Sequence, residues 1–246
     1  MKKEVKVCYS QRANLGNALN PIIIEQILGR KVICTDEYDC ETSGIGSGLR
    51  LFFKRPEKLR HDRSKFSPSQ IWSAGFITTP DNEIEPIKNL NISSVRGELS
   101  KQIIGRIYED CSEITTGDAG LLAGELVNVS SVKKYDIGII PHIREQNELQ
   151  FQLLQKNTPR SIIIDVSEDP LEILRKVAQC KCIVSSSLHG LIVADSLSIP
   201  NKWIRLTNRP LGDGFKFRDY YSIYNIAADA LDVNNMVNLD IERIII

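Results

Sequence analysis

The stretch Cys182-Ile183-Val184-Ser185-Ser186-Ser187-Leu188-His189-Gly190 decides the predicted fold. Its first residues form a short apolar run that predicts a buried parallel strand. The residues after the serines are apolar at helical spacing, and Pro200 ends the predicted helix. The serines and His189 therefore lie where a strand ends and a helix begins.

This strand-to-helix junction is a candidate anion site. Backbone N–H groups, three hydroxyls and the positive end of a helix dipole converge there, and His189 can supply a proton. Serines before a helix are also ordinary N-caps, and a single histidine there is often structural. A second histidine, His142, lies in another predicted strand-end loop, Ile140-Pro141-His142-Ile143-Arg144. Parallel α/β proteins bind ligands at such strand ends, which favours a functional role.

The composition argues against several classes of function. The 246 residues include 31 basic and 31 acidic side chains, so no overall field attracts nucleic acid or an anionic membrane. Apolar and aromatic contents of 42% and 7% are typical of a soluble globular protein. No apolar run reaches the roughly 18 residues of a membrane span. The first residues lead into a strand rather than a signal-peptide core, so we expect a cytoplasmic protein.

Six scattered cysteines predict no metal site. Cys180-Lys181-Cys182 is too tight for the usual zinc spacing. We expect reduced thiols.

Strand and helix patterns alternate along the chain, which predicts an α/β fold. Strand patterns cover residues 5–9, 31–34, 71–77, 113–120 with a turn, 136–140, 161–166, 182–184 and 203–206; helix patterns cover 18–28, 98–108, 145–155, 171–178 and 188–197. The pattern restarts between residues 128 and 134. We therefore predict an N-terminal α/β domain, residues 1–130, a C-terminal α/β domain, residues 131–246, and a cleft between them.

Two further stretches bear on ligand binding. The glycine-rich residues 43–48 match neither GxGxxG nor a Walker sequence, so they predict a tight turn rather than a nucleotide loop. Residues 202–218 hold five cations against one aspartate, interleaved with aromatic residues. Such a mixture can bind single-stranded nucleic acid, but a short patch in a neutral chain favours a small anionic ligand.

The chain resembles the polysaccharide pyruvyltransferase family. The motifs that carry the resemblance occur in order over nearly the whole length: residues 14–19 (NLGNAL), 72–76 (WSAGF), 95–100 (VRGELS), 117–119 (GDA), 141–142 (PH) and 185–195 (SSSLHGLIVAD). The last is the most specific. The chain is most similar to members that form cyclic pyruvate ketals on bacterial exopolysaccharides and capsules.

The resemblance implies a fold like the GT-B glycosyltransferases, with two Rossmann-like domains facing across a cleft. It implies phosphoenolpyruvate as donor and co-substrate, with no cofactor or metal, and a saccharide acceptor that is lipid-linked. Such an acceptor would bring the protein to the inner face of the membrane as a peripheral protein. No nucleic acid partner is expected, and the oligomeric state is not assigned.

Two residues depart from the family pattern. The early motif commonly ends in Asp where this chain has Asn17, so that position cannot act as a general base. Many members have Arg before the Leu-His pair where this chain has Ser187. A cation from elsewhere, Arg144, Arg205 or Lys216, would then have to hold the donor.

We assign candidate roles on this basis. His189 is the candidate general acid, and Asp118 or Glu98 is the candidate base. The candidate donor-binding residues are Ser185, Ser186, Ser187, Leu188, Arg144, His142, Arg205 and Lys216. The candidate acceptor-binding residues are Asn14, Gly16, Asn17 and Arg96.

Two other functions remain open from the sequence. A nucleotide-sugar glycosyltransferase could use the same scaffold, with Asp165 or Glu168 as the acidic ribose contact. A catalytically inactive member could instead act as a scaffold of a polysaccharide assembly complex. The apolar residues 241–246 could mediate such association, although a last edge strand is the simpler prediction.

Overall fold

The described residues form an α/β fold built on parallel β-sheets. The computed structural model describes residues 3–53, 69–80, 84, 86, 87, 90–128 and 132–244. Its strands are β1 Glu4–Cys8, β2 Lys31–Thr35, β3 Thr42–Ser43, β4 Ser69–Ile71, β5 Leu90–Ile92, β6 Ser94–Val95, β7 Thr115–Thr116, β8 Tyr135–Ile140, β9 Ser161–Ile163, β10 Cys180–Ser185, β11 Asn201–Arg205 and β12 Leu231–Asp232. The predicted α/β class is confirmed, and the GT-B arrangement stays a prediction.

The helices follow the strands in the alternating order that the sequence predicts. They are α1 Leu15–Leu28, α2 Leu49–Phe53, α3 Glu98–Gly105, α4 Leu149–Asn157, α5 Pro170–Ala178, α6 Leu188–Ser196, α7 Phe215–Tyr221 and α8 Ile241–Ile244. Among the described residues, Ala119–Leu126 and Ser222–Tyr224 form 3₁₀ segments. No helix in the described part of the chain is both long and apolar enough to cross a bilayer.

One compact unit comprises Met1–Arg12, Gly16–Ala119 and Gly214–Ala227. Its five-stranded parallel sheet has the order β2-β1-β3-β4-β5, and β6 and β7 form a separate parallel pair. The core of this unit packs α2 and α3 against strand β4 and the segment after it, through buried Phe52, Phe76 and Ile104 among others. The segment 214–227 belongs to this unit, although it comes after β11, a strand of the second unit, in the chain.

The second compact unit comprises Ala13–Leu15, Gly120–Asp213 and Ala228–Ile246. Its five-stranded parallel sheet has the order β12-β11-β10-β8-β9. Strand β10 lies in the middle, and Cys182, Ile183 and Val184 have no exposed surface. Burial on both faces explains the continuous apolar run in the sequence. The predicted boundary between residues 130 and 131 lies outside the described residues.

Several predicted elements differ from the structure. The helix predicted at 145–155 begins only at Leu149, because residues 145–148 form a loop. The strand predicted at 161–166 ends at Ile163. Helix α1 begins at Leu15 rather than Ala18 and contains Pro21. Strand β4 ends at Ile71 because Ser73 has a φ of 61° and gives its N–H to Ser94, so 72–77 is a loop rather than a strand.

The predicted edge strand at 241–246 is also wrong within the described residues, because Ile241–Ile244 is helical. The Glu242 N–H donates to Asp240 Oδ1 at 3.0 Å, which caps the helix, and Ile244 is buried in the core of the second unit.

The six cysteines are free thiols in the structure. Burial raises the pKa of Cys180 to about 12 and that of Cys182 to about 11. No group of three potential metal-binding side chains occurs among the residues that the structure describes.

Candidate functional site

The serine-rich junction has the predicted geometry. Strand β10 ends at Ser185 and helix α6 begins at Leu188, which is buried. Ser187 precedes the helix with φ −101° and ψ 125°, and its side chain makes no capping hydrogen bond. Ordinary capping therefore does not account for this hydroxyl.

Ser185 fastens the junction to the neighbouring strand. Its Oγ accepts the Ser187 N–H at 2.9 Å and lies 2.9 Å from the Ile140 carbonyl and 2.8 Å from the Ser187 carbonyl. The side chain has no exposed surface. The structure therefore uses this hydroxyl to hold the loop.

Ser186 joins the junction to the loop that carries His142. Its Oγ accepts the His142 N–H at 2.9 Å, and its own N–H donates to the Ile140 carbonyl at 3.1 Å. The Arg144 N–H then donates to His142 Nδ1 at 3.2 Å, so Nδ1 is the ring nitrogen that accepts in this loop. The loops after β8 and β10 thus bring the two predicted histidine segments together.

His189 occupies the first turn of α6. Its side chain is half-buried, and its Nε2 is buried. Gly190 follows it and lies so close to the junction that a Cβ would come within 2.4 Å of Ser185 Oγ and 3.0 Å of Ile140 Cγ2. Any side chain at residue 190 would have to displace one of these atoms, so the glycine allows α6 to approach the ends of β8 and β10 this closely.

A Gly190→Ala variant is expected to lose roughly 1–3 kcal/mol of stability, because the added methyl must displace the Ser185 hydroxyl or the Ile140 side chain. Urea unfolding measures the loss. Gly105→Ala is the matched control, since that helical glycine has no neighbouring atom within 4 Å of the new Cβ. Equal stability of the two variants would contradict the proposed tight contact.

The three predicted donor-binding cations differ in exposure and in the unit to which they belong. Arg144 is exposed, and its Nη1 donates to the Arg209 carbonyl at 3.3 Å. Arg205 ends β11 and is exposed. Lys216 is buried in α7, within the first unit.

Two residues beside Arg144, namely Arg209 and Glu145, were not predicted from the sequence. Arg209 forms an ion pair with Glu148, and Glu145 is a buried carboxylate bonded to Thr207. The sequence indicates these two residues only through their positions, because each lies a few residues after the end of a predicted parallel strand.

Arg96, a predicted acceptor-binding residue, is fully buried in an ion pair with Asp219. Asp219 Oδ2 accepts from Arg96 Nε at 3.0 Å, from Nη2 at 2.9 Å and from Ser100 Oγ at 2.7 Å, while Oδ1 accepts the Ser100 N–H at 2.8 Å. Arg96 also donates to Ser47 Oγ at 2.9 Å and to the Phe76 carbonyl.

Glycines make room for this ion pair. A Cβ at Gly97 would lie 1.7 Å from the Asp219 carbonyl oxygen, and one at Gly75 would lie 2.4 Å from Arg96 Cζ. The motif 95–100 therefore anchors helix α7, which carries Lys216, onto the first unit.

The two candidate bases lie at adjacent strand ends of the first unit. Strands β6 and β7 pair at Val95 and Thr116, and Glu98 and Asp118 follow these strands. Glu98 Oε1 accepts from Thr116 Oγ1 at 2.9 Å, and Asp118 is 3% exposed.

The early motif forms the loop after β1 and the start of α1. Asn17 Nδ2 donates to the Arg12 carbonyl at 3.0 Å. The buried Asn20 donates to Gly16 and Ile45 carbonyls at 3.1 and 3.0 Å, which ties the motif to the glycine-rich turn. Asn14 groups with the second unit.

The acids that a nucleotide-sugar enzyme would need are already engaged. Burial raises the pKa of Asp165, but hydrogen bonds from the Ser167 N–H and hydroxyl and from Gln146 outweigh it, so the pKa lies below its usual value. Glu168 pairs with Lys176.

Comparison with known proteins gives one family. The model of the family described as "Polysaccharide pyruvyl transferase" matches residues 71–206. The chain is 30% identical over 233 residues to the uncharacterized protein L143 of Acanthamoeba polyphaga mimivirus, covering 93% of this chain and 77% of that protein. It is 25% identical over 147 residues to the succinoglycan biosynthesis protein ExoV of Rhizobium meliloti, covering 59% of this chain and 44% of that protein.

A solved structure also aligns with most of the chain. It is an uncharacterized protein of Klebsiella pneumoniae, with 12% identity, a TM-score of 0.48 and coverage of 94% of this chain and 93% of that chain.

Proposed function

Because the chain belongs to the polysaccharide pyruvyl transferase family, we propose that it transfers the pyruvyl group of phosphoenolpyruvate to a saccharide. The product would be a cyclic ketal on an exopolysaccharide or capsule precursor, with release of phosphate. The observation that carries the proposal is the junction at residues 185–190, where Ser186 links the His142 loop to the strand end next to His189. The relative ExoV, whose name refers to succinoglycan biosynthesis, supports a polysaccharide acceptor.

The reaction needs an acid, a base and cationic contacts. His189 donates a proton to the methylene carbon of phosphoenolpyruvate, which becomes a methyl group and leaves positive charge on the carbon that bears the phosphate oxygen. One sugar hydroxyl attacks this carbon and loses its proton to Asp118 or Glu98. The second hydroxyl then forms the other ketal bond as the carbon–oxygen bond to phosphate breaks, and its proton leaves with the phosphate or to the base.

The donor carries a phosphate and a carboxylate, so its pocket needs cations and oriented N–H groups. Arg144 and Arg205 are exposed. Arg144 follows β8 and Arg205 ends β11, and these two strands lie on either side of β10, which leads into the junction. Ser187, whose hydroxyl makes no capping bond, is the serine proposed to contact the donor directly. Lys216 completes the proposed set of cations.

Replacing one of these cations by alanine is expected to weaken phosphoenolpyruvate binding by roughly 1.5–3 kcal/mol, the range for a charge-assisted hydrogen bond. Calorimetric titration of Arg144→Ala, Arg205→Ala and Lys216→Ala measures the loss. Arg175→Ala, which removes an exposed cation paired with Glu172 on α5, is the control. Unchanged affinity in all three site variants would contradict the donor-site assignment.

The acceptor is proposed to be a lipid-linked saccharide bound in part by Asn14, Gly16 and Asn17. Such an acceptor would place the protein at the inner face of the membrane as a peripheral protein. The proposed reaction uses no cofactor. Phosphate release from phosphoenolpyruvate over a panel of lipid-linked saccharides tests this proposal. Binding of nucleoside diphosphates in place of phosphoenolpyruvate, or donor binding without turnover on any acceptor, would contradict it.

A further inference from the structure

Glu145 is a buried carboxylate in the loop after β8 that the proposed reaction does not use. Its side chain is 1% exposed. Its Oε1 accepts from the Thr207 N–H at 3.0 Å and from Thr207 Oγ1 at 2.6 Å. Its Oε2 is buried and has no hydrogen-bond partner among the described residues. Burying a carboxylate is costly, so its presence here requires a reason.

The bonds of Glu145 join two loops that both carry cations. Its N–H donates to the His142 carbonyl at 2.7 Å, and its carbonyl accepts the Glu148 N–H at 2.9 Å, which shapes the loop after β8. Thr207 belongs to the loop after β11, where its Oγ1 accepts the Arg209 N–H at 3.1 Å. One carboxylate thus fixes the loop of His142 and Arg144 to the loop of Arg209.

This carboxylate orders the loops without neutralising their cations. Within the described part of the chain, Glu145 forms no ion pair, whereas Arg209 pairs with Glu148. Arg144 gives one side-chain N–H to the Arg209 carbonyl, at 3.3 Å. A guanidinium has five N–H donors, so Arg144 keeps others for a ligand.

From these contacts we infer that Glu145 is a positioning residue for donor binding. Glu145 holds Thr207 and thereby fixes the position of the Arg209 carbonyl. This carbonyl accepts a hydrogen bond from Arg144 and so orients the Arg144 guanidinium toward the phosphate or the carboxylate of phosphoenolpyruvate. The inference rests on the proposed function, because it concerns the same site. Glu145 itself touches no substrate.

A double-mutant cycle between Glu145 and Arg144 tests this role. Glu145→Ala is expected to raise the Kd for phosphoenolpyruvate about tenfold, because a misplaced contact group loses most of its effect. In an Arg144→Ala background the same change should raise Kd less than about twofold, since its effect passes through Arg144. In turnover assays, Glu145→Ala should raise KM for the donor and leave kcat within about threefold.

Conservative variants separate positioning from general loss of folding. Glu145→Gln keeps the oxygen that accepts from Thr207, so its Kd should stay within about threefold of the wild type. Thr207→Val removes the 2.6 Å bond with little change of shape and should raise Kd several-fold even where Glu145→Ala does not fold. Glu172→Gln, on the surface of α5, is the control for loss of a carboxylate and should leave Kd unchanged.

The results that contradict the role of Glu145 differ from those that contradict the proposed function. Additive effects in the cycle, unchanged Kd in both Glu145→Ala and Thr207→Val, or a Gln variant as weak as the Ala variant would overturn the role of Glu145. Wild-type binding of phosphoenolpyruvate in the same titrations would leave the proposed function standing. Absence of wild-type binding would overturn the proposed function and, with it, the positioning role.

Discussion

A His189→Gln variant is expected to turn over about 10²–10⁴-fold more slowly than the wild type, the usual contribution of a positioned acid. Glutamine keeps most of the side-chain volume in the first turn of α6 but cannot deliver a proton to carbon. Because the serine junction is held by Ser185 and Ser186, we expect the fold and most of the donor affinity to survive. Phosphate release and calorimetric donor binding, measured on the same preparation, separate the two effects.

Donor binding should also take up a proton. The positive end of α6 disfavours the charged imidazolium of His189, but a bound phosphoenolpyruvate with up to three negative charges favours it. The full negative charges of the ligand lie close to the imidazole, whereas the helix dipole amounts to about half a charge at the end of α6. The ligand therefore has the larger effect, and we expect His189 to be protonated in the complex. Titrations in buffers of different ionisation enthalpy report the proton uptake, which His189→Gln should abolish. Near-normal turnover of His189→Gln would make His189 structural and His142 the next candidate acid.

An Asp219→Ala variant is expected to lose about 3–5 kcal/mol of stability, because it leaves the buried guanidinium of Arg96 without its counter-charge. Both side chains of this ion pair have no exposed surface. The same change removes the acceptors for the Ser100 hydroxyl and N–H, so helix α7 loses its main polar attachment. Urea unfolding followed by circular dichroism measures the loss.

Asp39→Ala provides the control for Asp219→Ala. It breaks the exposed ion pair between Lys6 and Asp39, whose side chains are 47% and 59% accessible, and should leave stability nearly unchanged. Replacing both partners, Arg96→Met with Asp219→Leu, should recover part of the stability that Asp219→Ala loses, since no charge is then buried alone. An Asp219→Ala midpoint equal to that of Asp39→Ala would contradict the anchoring role of the pair.

The strands and helices that are determined by residues close together in the sequence could be predicted. Strand β10 follows from its apolar run, because a strand between two others in a covered parallel sheet is buried on both faces. Helix α5 begins where the sequence predicts, since Asp169 accepts the N–H groups of Leu171 and Glu172 at 3.0 and 3.1 Å and Pro170 fits the first turn. The strand-to-helix junction that carries His189 was predicted for the same reason.

Other features depend on residues far apart in sequence, and only the tertiary structure decides them. Arg96 lies in a motif that predicts acceptor contact, yet its counter-charge, Asp219, follows 123 residues later. Glu145 meets Thr207 across 62 residues. Helix α7 packs with the first unit although it lies in the chain between β11 and β12, two strands of the second unit's sheet. Local periodicity reports which face of an element is buried, but not which distant side chain lies opposite, because that pairing arises only when the chain has folded.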